Sequence, residues 1–137
     1  MNNVLSIRIL PNSKRTFPTE LDFKTFVLKT MIDRGGYYYF PGKMMNCSDQ
    51  SLVLFQYDGK IRACGILIDK KKEIVYDEQG VAYAGYYRFD TNTLHYLHTP
   101  IDKEMMIKIY PDFKGFSQAK QIIPIEYFDK ISVLLEQ

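Results

Sequence analysis

Apolar positions arrive in short bursts between polar turns, and their period changes along the chain. From Val4 to Leu10, Ile7 and Ile9 alternate with other positions until Pro11 stops the run, which predicts a strand. Asn12-Ser13-Lys14-Arg15 follows as a polar, basic loop. Phe23, Phe26, Val27, Thr30 and Met31 then recur at helical spacing. Asp22 is placed to cap this helix, and Gly35-Gly36 to end it with a left-handed turn. Tyr37-Tyr38-Tyr39-Phe40 reads as a strand in which alternation lets at most two of the four rings share a core. Ser51 to Tyr57 is a continuous apolar run and therefore a central strand, and Asp58-Gly59 marks a hairpin turn. On the return, Lys60 to Asp69, the inward set Ile61 and Ala63 changes phase to Cys64, Ile66 and Ile68 around Gly65. That change predicts a β-bulge at the glycine, curling the sheet toward a barrel.

Lys70 to Lys72 reads as a solvated strand end. Val81 to Phe89 and Leu94 to His98 pattern as a second hairpin around residues 90–93, closed by Pro100. Asp102 can cap a short helix up to Tyr110, although Met105, Ile107 and Ile109 also alternate as a strand would; Pro111 ends either element. Phe113 to Gln121 is polar and irregular. Pro124 opens a last helix with Ile125, Phe128, Ser132 and Leu135 on one face. The order predicts an α+β fold: a curved, mainly antiparallel sheet with helices packed at its ends.

Composition narrows the class. At 137 residues the chain reads as a single domain over 1–137, large enough to bury a core without metal or disulfide staples. Cys47 and Cys64 have neither metal-ligand nor CxxC spacing and suit a reducing compartment. No apolar run approaches ~20 residues and the N-terminus has no signal-type core, so a cytoplasmic protein without membrane association is expected. The net charge of +2 divides into +6 over residues 1–72 and −4 over 73–137. A basic face for a polyanion follows if this segregation carries over into space.

Enzyme motifs are absent: there is no Walker loop, GxGxxG, GxSxG or HExxH. His95 and His98, three apart on a strand, point to opposite faces, so no metal centre and no cofactor are expected. A small hydrolase or nucleotide-modifying enzyme using Cys47 or His98 is a lesser alternative. The compositional outlier is aromatic: 11 Tyr and 9 Phe with no Trp. Each buried phenol needs a hydrogen-bond partner, so some tyrosines should stand at the surface. Tyr37 to Phe40 with Lys43, Tyr57, and Tyr86-Tyr87-Arg88 are either core-edge residues or a set that stacks bases and meets phosphates.

The stretch from GGYYYFPG through SLVLFQYDGKIRACGILID, continued by GYYRFD, TPID and FKGFSQAKQIIPIEYFDKI, resembles the PUA-like superfamily. The likeness is to its EVE-type members and to the N-terminal domains of some HNH-type, modification-dependent nucleases. It covers roughly residues 35–135 through loose patterns without an invariant catalytic set. It implies a curved pseudo-barrel and, in many relatives, recognition of RNA or of a modified DNA base in an aromatic-lined pocket. Two departures stand out: there is no Trp, and 137 residues leave no room for an appended nuclease domain. Under this resemblance Tyr38, Tyr39, Phe40, Tyr57 and Tyr87 meet the base together with Lys43 and Arg88, whereas Lys114, Ser117, Lys120 and Gln121 meet phosphates. The alternative for Phe113 to Gln121 is a loop that packs Phe113 and Phe116 into the core. The expectation is a non-catalytic module that binds nucleic acid, either RNA or modified DNA. The competing one is an interaction domain that docks a protein partner through exposed tyrosines.

Overall fold

The computed structural model describes residues 4–116 and 121–137. β1 (Ser6–Asn12) leads into a helical rod over residues 20–33, made of α1 (Glu20–Thr25), a π-helical turn (Phe26–Thr30) and α2 (Met31–Asp33). Thr19, not Asp22, is its N-cap. Asp22 sits three positions on and closes a capping box, its side chain accepting from the Thr19 backbone N–H while the Thr19 hydroxyl oxygen accepts from the Asp22 N–H. Gly35 and Gly36 end the rod at φ 74° and 99°. A Cβ on Gly36 would lie 2.0 Å from the Phe89 carbonyl oxygen, so close backbone approach as well as positive φ requires glycine there.

β2 (Tyr37–Phe40), β3 (Ser51–Tyr57), β4 (Lys60–Lys71), β7 (Gly85–Phe89), β8 (His95–Ile101) and β9 (Ile122–Ile123) join β1 in one sheet. Its order is β2-β7-β4-β3-β1-β9, with β8 also on β4; β1 and β3 run parallel and the other pairs antiparallel. β5 (Val75–Tyr76) and β6 (Ala82–Tyr83) form a separate small hairpin. The predicted second hairpin is not present: β7 and β8 do not pair with each other but share one edge of β4, at Leu67–Lys71 and Ile61–Cys64. Nor is Gly65 a bulge, since it pairs in regular register with Val53. The extra residues are Arg62 and Ile68, where the β4 register slips. Gly65 instead admits Leu94, whose Cδ2 would lie 2.9 Å from a Cβ at that position. Two bulges on the strand shared by three neighbours supply the curl that the sequence pattern assigns to one.

β3 is buried along its whole length because both of its faces meet a core. Leu52 and Leu54 join Ile7, Ile9, Ile61, Ile101 and Ile123 in an aliphatic cluster, packed with Met106 of α3 (Lys103–Ile109) and Ile131 of α4 (Phe128–Leu135). Val53, Phe55 and Tyr57 face the other way, into an aromatic cluster with Phe23, Phe40, Tyr87 and Phe89 beneath the 20–33 rod. Asp102 does cap α3, so Met105 to Ile109 is helix rather than strand. Pro124 precedes a tight turn (Ile125–Tyr127), and α4 buries Ile131 where the expected face had Ser132. Phe113 and Phe116 pack against the aliphatic cluster.

Candidate functional site

Tyr38 closes the barrel. Its hydroxyl donates to Asn12 Oδ1 at 2.7 Å, which ties the edge strand β2 to the far end of β1. The Asn12 amide donates in turn to the carbonyls of Leu10 and Gln56 at 3.0 and 3.3 Å. The seam between the two strands opens as a cleft of about 760 Å³. Buried Asn12 and Gln56, with Tyr38, lie at its base; Phe17, Phe26, Tyr39 and Tyr83 supply aromatic walls, and Ser13 and Thr16 lie exposed at its edge. Burial pushes the Tyr38 phenol well above its ordinary pKa, so it remains a hydrogen-bond donor at any physiological pH.

Beside the cleft, β6 and the outer face of β2 and β7 together carry a ladder of half-buried tyrosines. Tyr83 meets Tyr39 at 5.7 Å between ring centroids, Tyr39 meets Tyr37 at 6.5 Å, and Tyr37 meets Tyr86 at 5.0 Å. Arg34 lies 4.5 Å over Tyr39, and Arg88 lies 5.4 Å over Tyr37. Arg34 also donates Nε and Nη2 to the two carboxylate oxygens of Glu78 at 2.7 and 2.6 Å. Those hydrogen bonds hold the Glu78 carboxyl down to about 2 and raise Arg34 further.

The sequence-predicted residues divide on this geometry. Tyr38 and Tyr39 line the cleft, and Arg88 joins the ladder. Phe40, Tyr57 and Tyr87 do not reach it: they are core residues at 3%, 1% and 0% exposure. Tyr57 is stacked on Phe23 at 4.9 Å with its hydroxyl donating to the Phe17 carbonyl, and the Tyr87 hydroxyl oxygen accepts from the Met45 N–H. With their rings covered and their hydroxyls engaged, they have no face left for a ligand. Lys43 is exposed just beyond β2. Lys114 and Gln121 lie on the segment that packs Phe113 against the aliphatic core, and the Gln121 side chain donates to the Gly115 carbonyl. Ser117 and Lys120 lie outside the described residues.

Sequence reasoning missed Arg34, Asn12 and Tyr83, and it grouped Tyr37 and Tyr86 with the possible stacking rings without separating them from the core rings Phe40 and Tyr87. One signal was available. Arg88 marks the solvent side of β7, and alternation puts Tyr86, not Tyr87, on that side. The basic first half is partly engaged within the fold: Arg8 is buried, and Lys14, Lys29, Arg34, Arg62 and Lys71 pair with carboxylates, while Arg15, Lys24, Lys43, Lys60 and Lys72 are exposed.

A second cleft of about 550 Å³ lies along another line of the rod, bordered by Glu20, Lys24 and Leu28. Its charges are internally engaged, with Arg62 on Glu20 at 2.8 Å and the Tyr96 hydroxyl donating to Glu20 at 3.1 Å. Burial, reinforced by that bond, pushes Tyr96 up to about 12. His95 and His98 both border this cleft, as do Tyr96 and Leu97 between them. Among the described residues no helix is long and apolar enough to cross a membrane.

Sequence comparison matches the chain to no family model and to no curated protein. Fold comparison does find similar structures, among them crystal structures of the ASCH protein from Zymomonas mobilis. The ASCH structure itself superposes with a TM-score of 0.62 at 11% identity, covering 96% of this chain and 97% of that one. A tyrosine-to-phenylalanine mutant of it gives 0.63 at 10% identity, with 95% and 99% covered. A serine-to-alanine mutant gives 0.62 at 10% identity, with 94% and 96% covered. ASCH proteins belong to the PUA-like superfamily. The fold is PUA-like. At this identity the likeness is one of fold alone. The residues that fill this seam are the chain's own.

Proposed function

We propose that this protein is a binding module for single-stranded nucleic acid, RNA or modified DNA, which seats one base in the seam cleft and stacks its neighbours on the tyrosine ladder. The observation that carries the reading is the continuity of the two features: Tyr39 and Tyr83 are both cleft walls and rungs of the ladder. Ring faces accept any base, while Arg88 and Arg34 sit where a backbone crossing the ladder would bring its phosphates. An aromatic-walled cleft with amide groups lining it also suits a base turned out of its strand, modified or not, as the resemblance to EVE-type domains implies. The reading assigns no catalytic residue.

Fluorescence anisotropy with labelled single-stranded RNA and DNA 12-mers, each with and without a modified base, tests it at low salt. Saturable binding that weakens as salt rises is expected. Tyr39→Ala should weaken it by about 5- to 150-fold, the range for loss of one stacked base. Absence of binding to every strand at low salt would overturn the reading. A second reading, docking of a protein partner, is favoured by the apolar exposure of Ile74, Tyr76 and Val81 on and beside the β5–β6 hairpin.

A further inference from the structure

We propose that Arg34 is the phosphate anchor of the seam cleft, so that its ligand is recognised as a nucleotide and not as a base alone. This rests on the nucleic-acid reading and adds to it a named group and a chemical requirement.

A guanidinium carries five N–H donors. Glu78 takes the Nε–H and one Nη2–H of Arg34. Of the remaining three, one on Nη1 and one on Nη2 share the Nη1/Nη2 edge and the third, on Nη1, points back along the side chain; no acceptor among the described residues takes them. That edge has the planar, two-pronged geometry that holds two oxygens of a phosphate. Arg34 borders the cleft with only 13% of its side chain exposed, so it is a partly shielded cation at the site and not a freely solvated one.

The side chain is also held still. Tyr39 lies 4.5 Å from the guanidinium carbon and Phe26 5.8 Å, while Glu78 grips the opposite edge with two bonds. A cation fixed in this way loses little freedom when an anion arrives. Glu78 partly neutralises it, so the preference for a phosphorylated ligand should be moderate. A structural role alone, pinning the β5–β6 hairpin to the rod, would use the Glu78 edge and make no distinction between ligands.

The test is an NMR titration of the wild-type protein with the four ribonucleosides, their 5′-monophosphates and inorganic phosphate. Monophosphates should bind about 5- to 10-fold more tightly than the matching nucleosides, as a charge-assisted bidentate contact gives. In Arg34→Gln the ratio should fall to about one, and Arg34→Lys, which keeps the charge but not the fork, should retain only part of it. A wild-type ratio near one, or a ratio that survives Arg34→Gln, overturns the anchor while leaving the nucleic-acid reading intact. Inorganic phosphate binding as tightly as the monophosphates also overturns it, because the base would then have no part in the site. If neither nucleosides nor monophosphates bind, the nucleic-acid reading itself fails and the anchor with it. Should Arg34→Gln not fold, Glu78→Gln keeps the arginine and removes the competing carboxylate. The ratio should then rise, and an unchanged or lower ratio overturns the proposal.

Discussion

Leu54 and Phe55 are consecutive on β3 and both fully buried, yet they belong to different interiors. The Leu54 side is largely Ile, Leu and Met closed over by α3 and α4, and dispersion and burial alone suffice to seal it. The Phe55 side is built from Phe and Tyr, whose hydroxyls must reach acceptors or donors. They do so at loops and strand ends: Tyr57 at Phe17, Tyr87 at Met45, Tyr38 at Asn12. An aromatic interior therefore extends polar ties to the margin of the barrel, and the cleft opens at that margin. The aliphatic side holds the fold together, and the aromatic side holds it together and also shapes a surface.

The largest break in this contrast should come from Gly36→Ala, which drives a Cβ into the Phe89 backbone where the aromatic side is stitched to the rod. A backbone clash at positive φ is expected to cost about 4 kcal/mol or more, read as a collapse of the urea midpoint. Leu54→Ala and Phe55→Ala come next, at about 2–5 and 3–5 kcal/mol by the same measurement. What sharpens the comparison is binding. Phe55 stacks against Tyr38 at 6.1 Å, so only its loss should weaken oligonucleotide affinity at a temperature where both variants remain folded. Equal affinities would mean that the two interiors are functionally alike.

Tyr38→Phe leaves Asn12 Oδ1 without its donor and should cost about 1–3 kcal/mol. Hydrogen exchange should rise at the ends of β1 and β2 and not in α4. The smallest effect is in pH. Glu78, held down to about 2 by Arg34, stabilises the fold fully above its unfolded value of ~4.3 and loses that contribution as pH falls through about 2. Because half of its side chain meets solvent, the loss should stay within about 1 kcal/mol. Acid titration of the urea midpoint should show it in the wild type and not in Glu78→Gln.

Local chemistry was legible wherever one segment decided the outcome. The β3 run, the helix ended by Gly35-Gly36 and the Asp102 cap all lie where pattern placed them. So does the division of Tyr37 to Phe40 between two faces. Partner choice was not legible. Residues 81–89 and 94–98 look like a hairpin because they are adjacent and strand-like, but a 12-residue β4 offers each a better mate. The two-residue β9 is too short to carry a period, and only its pairing with Ile7 and Arg8 defines it. At the site, Tyr38 and Tyr39 were within reach of pattern. Arg34 was not, because its meaning comes from Glu78, 44 residues away, and from a cleft that exists only after the sheet curls.

The π-helical turn at Phe26–Thr30 has a consequence for which changes of length the chain can tolerate. In an unbroken α-helix, side chains eight residues apart diverge by roughly 80° around the axis. One extra residue in a wide turn takes up that drift. It leaves Phe23 in line with Met31 toward the interior, and Phe26 in line with Arg34 toward the seam. Deleting a single residue between Phe26 and Thr30 would remove the wide turn and leave each pair seven apart on a regular helix, within roughly 20° of register. Straightening the turn at unchanged length would instead swing Met31 and Arg34 by roughly 80° from Phe23 and Phe26, so the rod tolerates loss of a residue there better than loss of the turn alone.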